Sequence, residues 1–151
     1  MAPELSPSLA LSIAFALALS ASMLVKFWLA TRQMRHVAAH RGAVPAPFAQ
    51  RISLQAHQRA ADYTLAKGRF GLLTMAFGAA VLLGWTLLGG LDTLNVALRD
   101  ALQPRLGDMA YQLALLAAFA LIGGLIDLPL ELYSTFRIEQ QFGFNRMTWR
   151  L

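Results

Sequence analysis

Two places in this chain hold residues whose types and spacing belong to metal or proton chemistry. His36 and His40 lie four apart in the run HVAAH. On a helix that spacing sets two imidazoles on one face, as in the H-E-x-x-H helix that grips zinc. Val37 stands where that motif has its glutamate, so the general base is missing. His57 is the only other histidine, and no glutamate lies between it and the pair. A basic helix at a membrane surface accounts for the two rings more simply than a metal site. Asp127 and Glu131 are also four apart, at the end of an apolar run. Carboxylates in a membrane segment are functional candidates by default. They either accept hydrogen bonds from cations such as Lys26 or Arg137 or face a water-filled cavity, and a paired structural role at a helix end is the simpler of the two. Pro129 between them removes one backbone hydrogen bond and predicts a kink. No Ser or Thr has a base to activate it, and there is no glycine-rich phosphate loop. With no cysteine, disulfides, thiolate zinc sites and Cys nucleophiles are excluded. The residues themselves therefore assign no catalytic group and no metal ligand.

The elements that carry these residues are membrane spans. Hydrophobic residues make up 57% of the 151 and charged residues 14%, against roughly 25% charge in soluble domains. The mean hydropathy is +0.50. A chain of this length is one domain, 1–151. Its charge deficit sits in three apolar runs, and about 20 helical residues cross the ~30 Å hydrocarbon core. Leu5 to Val25 is uncharged, with cations only after it. That order favours a retained span over a signal peptide, which carries its cations first. Phe70 to Leu91 is the second run, and Leu113 to Tyr133 the third. The predicted fold is an all-α multi-span membrane helical bundle, with spans at about 6–28, 70–91 and 113–133 and amphipathic connecting helices.

The connections fix the orientation. Lys26, Arg32, Arg35, Arg41, Arg51, Arg59, Lys67 and Arg69 face the single acid Asp62 in the first connection, whereas the second holds Arg99 and Arg105 against Asp92, Asp100 and Asp108. Cations near span ends stay cytoplasmic, so the amino terminus is placed outside and the carboxyl end inside. The net charge of +5 then reflects topology, and nucleic acid is not an expected partner. Phe27 to Arg41 continues the first helix into water, and Pro45 and Pro47 interrupt it. Ile52, Ala56, Ala60 and Tyr63 recur at helical spacing, predicting an amphipathic helix over 50–67. Leu91, Leu94, Leu98 and Leu102 predict a short interfacial helix ending at Pro104. Beyond Tyr133, the side chains of Phe136, Glu139, Phe142 and Phe144 are placed to pack against a following domain. Gly143 marks a tight turn, and Asn145 a cap or turn.

The stretch from Pro129 to Thr148, PLELYSTFRIEQQFGFNRMT, resembles the segment after the third span of the type I CAAX prenyl proteases and their bacterial relatives. The resemblance rests on Pro129, Tyr133, Phe136, Ile138, Glu139, Phe142, Gly143, Phe144, Asn145 and Thr148. A second stretch is similar to the first connection of the bacterial members: Ile52 to Leu54, His57 to Thr64, then Lys67 and Arg69. The resemblance implies a membrane-embedded zinc metalloendopeptidase whose spans enclose a water-filled chamber. It also implies a zinc-binding catalytic domain further along the polypeptide, acting on peptide substrates. The family's H-E-x-x-H has no counterpart in these residues, and HVAAH does not take its place. Zinc is thus expected of the full-length family member and no cofactor of this stretch. The expected partners are the lipid bilayer and the downstream catalytic domain, in a bacterial inner membrane. The alternative is a non-enzymatic small membrane protein that binds partner helices or anionic lipid.

Overall fold

The computed structural model describes residues 6–144, which form helices and turns with no strand among them. The first helix, α1 (Pro7–Ala39), starts at Ser6, whose Oγ accepts from the Leu9 amide at 3.3 Å. Pro7 follows at the first helical position, where a missing N–H costs nothing. At 33 residues α1 is about 50 Å long, so its last turns stand clear of the ~30 Å core. The tail of the first span therefore does continue beyond the apolar run, as its basic face predicts. A short 3-10 turn at Ala46–Phe48 follows Pro45. The helix α2 (Leu54–Thr86) joins the amphipathic segment and the second span without a break.

The helix α3 (Gly90–Tyr133) corrects one boundary. Pro104 does not end the short helix before the third span; the backbone leaves helical geometry only at Gly107, with φ 79° and ψ 176°. A proline costs the helix one donor and a local clash, which a solvated turn absorbs, whereas a positive φ stops the helix outright. The side chain of Tyr111 donates to Asn95 Oδ1 across that break. Pro129 likewise stays inside α3, where Gly107 is the one residue with non-helical backbone angles. The departure from α geometry falls instead on the π-helix Ser134–Glu139, followed by the turn Gln140–Phe142.

The chain divides into two compact units, one holding residues up to Ala76 together with those from Ser134 onward, the other Phe77–Tyr133. In the second, Trp85 packs edge-on against Phe119 with centroids 5.1 Å apart. Three helices are long and apolar enough to cross a membrane. Their apolar side chains are largely exposed, and among the described residues only Ala61 and Ile138 are buried. In water that surface would be untenable, and in lipid it is the expected exterior.

Candidate functional site

The first unit brings residues 134–144 of one family-like stretch to Tyr63 and Lys67 of the other. Tyr63 and Lys67 lie one turn apart on α2, before the apolar part of that helix. The ammonium of Lys67 donates to Glu139 Oε1 at 2.8 Å and to the Tyr63 hydroxyl at 3.0 Å. It also lies 5.5 Å from the Tyr63 ring centroid, within cation–π range. The same ring takes Phe142 edge-on at 5.7 Å and Phe144 at 4.6 Å. The bond to Glu139, and secondarily that to Tyr63, raises the Lys67 pKa above the ordinary lysine range.

Local backbone chemistry explains why these side chains converge. The π-helix Ser134–Glu139 ends in one helical turn that Gly143 closes with φ 77°. The Phe144 amide donates to the Glu139 carbonyl at 2.9 Å and the Gly143 amide to Gln140 at 3.1 Å. This crossed pair is a Schellman cap, which needs a left-handed residue and so favours glycine. The turn puts Phe142 and Phe144 on either side of Gly143 with both rings on Tyr63. Ile138 is buried beside this turn at 7% exposure.

A second cross-link ties α2 to the end of α1. Arg41 Nε and Nη2 donate to the two carboxylate oxygens of Asp62 at 2.6 and 2.8 Å. The hydrogen bond from Arg41 holds the Asp62 carboxyl below the usual carboxylate range, and Asp62 raises the guanidinium in turn. One turn further from the membrane, His57 Nε2 lies 3.0 Å from the His40 carbonyl, and His40 Nδ1 is 2.8 Å from the His36 carbonyl. A carbonyl oxygen only accepts, so these ring nitrogens carry the hydrogen. The His36 and His40 rings lie 4.2 Å apart, at the end of a helix whose carbonyls the His40 and His57 rings serve.

Of the residues singled out from the sequence, Phe136, Glu139, Phe142, Gly143 and Phe144 belong to this unit. Pro129, Tyr133, Asp127 and Glu131 lie on α3 in the other unit. Asp127 and Glu131 are exposed and form no ion pair among the described residues. Asn145 and Thr148 lie outside the described residues. Sequence reasoning missed the partners of Glu139, although Tyr63 and Lys67 both sit in the second family-like stretch. It also missed Arg41–Asp62, which the lone acid of a basic connection signals. No three His, Cys, Asp or Glu side chains among the described residues are grouped to hold a metal ion.

Three membrane-length helices and a water-side clamp define an all-α multi-pass membrane protein. The family described as the CAAX prenyl protease N-terminal, with five membrane helices, matches residues 33–151. The chain belongs to that family. The match begins in the last turns of α1, so the first span, at about 6–28, precedes it. CAAX prenyl protease 1 of Saccharomyces cerevisiae is 27% identical over 115 residues, covering 72% of this chain and 25% of that protein. The chain thus spans about a quarter of this relative's length. No solved structure matches.

Proposed function

We propose that these residues form the amino-terminal membrane domain of a CAAX prenyl protease-like zinc metalloendopeptidase. The domain supplies part of the wall of a membrane chamber, and the segment 134–144 docks a catalytic domain that follows in the same polypeptide. One observation carries the reading: the family match extends through the segment that Lys67 and Tyr63 hold. Fixing that segment sets the direction in which the chain leaves the membrane. Zinc and proteolysis of membrane or prenylated proteins belong, on this reading, to the full-length chain. The excess of cations between residues 26 and 69 supports a cytoplasmic first connection and an outside amino terminus. The similarity of residues 52–69 to bacterial members supports a bacterial inner membrane.

The test is the reading frame past codon 151 and its product. Further spans and an H-E-x-x-H are expected, with chelator-sensitive cleavage of a membrane-anchored peptide by the full-length protein and none by residues 1–151 alone. A stop codon after Leu151, or chelator-sensitive cleavage by the isolated 151 residues, overturns the proposal.

A further inference from the structure

We propose that the outward face of α1 holds an anionic phospholipid, with Trp28, Arg32 and Arg35 as its headgroup site. This inference rests on α1 alone and stands apart from the protease reading. Leu17, Leu24 and Trp28 are 66, 72 and 59% exposed. Their spacing of seven and then four residues puts them on one helix face, and Arg32 and Arg35 continue that face by four and three more. The stripe changes character at the membrane boundary. Leu17 and Leu24 belong to the uncharged run, Trp28 lies about 5 Å beyond its end, and Arg32 about 10 Å beyond. An indole at that depth sits among headgroups, and a cation just outside it meets their phosphates.

The two arginines are placed to receive an anion. The Arg32 guanidinium lies 5.6 Å from the Trp28 ring centroid. An arginine parked on an aromatic ring keeps its N–H edge free for a planar, bidentate acceptor. The three ion pairs among the described residues are Arg41–Asp62, Lys67–Glu139 and Arg99–Asp100. Arg32 and Arg35 therefore carry charge with no acidic partner among those residues. A glycerophospholipid joins an acidic phosphate to acyl chains in the order in which the stripe joins arginines to leucines. A free phosphate ion has no counterpart for Leu17, Leu24 or the indole.

The test reads Trp28 fluorescence in the intact 151-residue chain carrying Trp85→Phe and Trp149→Phe, reconstituted in bilayers. Quenching by brominated phosphatidylglycerol is compared with quenching by brominated phosphatidylcholine, which gives a relative association constant at Trp28. A preference for the anionic lipid is expected, about fivefold per arginine. It falls to near one in Arg32→Gln/Arg35→Gln and survives in Arg51→Gln/Arg59→Gln, which lowers the net charge equally away from this face. Equal quenching by the two lipids, or equal loss in both double variants, overturns the site in favour of no binding or a diffuse charge effect.

Discussion

The ammonium of Lys67 sits 2.8 Å from the carboxylate of Glu139, a residue 72 positions further along the chain. This pair joins the approach to the second span to the segment that follows the third. Both side chains are partly exposed, so the pair contributes roughly 0.2–1 kcal/mol. Its value lies in selecting one arrangement of the carboxyl-terminal segment. Lys67→Glu and Glu139→Lys are each expected to speed amide exchange across residues 134–144. The double swap recovers part of the protection, because the ion pair is restored with its sign inverted. Hydrogen exchange by mass spectrometry on the four proteins checks this. Additive losses in the double variant would remove the pair from the account.

Gly143 adopts φ 77°, and a Cβ built on it meets nothing within 4 Å. Any cost of substitution is therefore conformational and not steric. Gly143→Ala is expected to destabilise the turn by about 1–2 kcal/mol, with Gly143→Asn milder because asparagine tolerates the left-handed region. The loss should appear as faster exchange of the Phe144 amide, whose acceptor is the Glu139 carbonyl. A Gly143→Ala protein with unchanged exchange would contradict the Schellman cap.

The spans were legible because hydrophobic length alone dictates them. The helices 7–39, 54–86 and 90–133 each hold most of one expected span. The second span, expected over 70–91, ends five residues early at Thr86, because the chain turns at Gly89 with φ 79°. The interfacial helix was misjudged at its end, since Pro104 is the louder punctuation in the sequence while Gly107 carries the decisive positive φ. Gly143 was legible as a turn because glycine between two phenylalanines has few other uses. The clamp was not legible. Eight cations surround the first connection, and nothing in their spacing says that Lys67 faces Glu139. Long-range pairing depends on how α2 and the carboxyl-terminal segment pack, and helical periodicity holds no record of that. The π-helix at 134–139 was equally hidden, because no residue type specifies a wider turn.

The Arg41–Asp62 pair predicts an acid limb in the order of the first connection. Asp62 has its carboxyl pKa lowered by the bond from Arg41. The unfolded carboxyl binds its proton at higher pH than the folded one, so the pair's stabilisation is present above the ordinary carboxylate pKa of about 4. It is lost as pH falls through the lowered folded value. Arg41 is shifted upward, so its contribution stays full throughout neutral pH and fails only in strong alkali. Exchange near residues 41 and 62 is expected to rise, relative to distant helices, below pH about 4. Asp62→Asn should show the raised exchange already at neutral pH and no further acid limb. An acid limb of unchanged size in Asp62→Asn would assign it to another group.

Two glycines make close approaches of different kinds, and the difference sets the sign of their alanine variants. A Cβ at Gly68 would meet Met34 Sδ at 2.9 Å and Cγ at 3.0 Å. Methionine is flexible and can withdraw at small cost. Alanine in a helix interior gains up to about 1 kcal/mol over glycine, so Gly68→Ala is expected to be near neutral. A Cβ at Gly90 would meet the Gly84 carbonyl oxygen at 2.8 Å and the Trp85 Cα at 3.2 Å. Backbone atoms cannot step aside without opening the turn between α2 and α3, where Gly89 already holds φ 79°. Gly90→Ala should therefore cost about 1–3 kcal/mol, lowering the thermal midpoint of the detergent-solubilised chain where Gly68→Ala leaves it in place. Equal midpoints for the two variants would mean that the tight turn at Gly90 relaxes as easily as a methionine side chain.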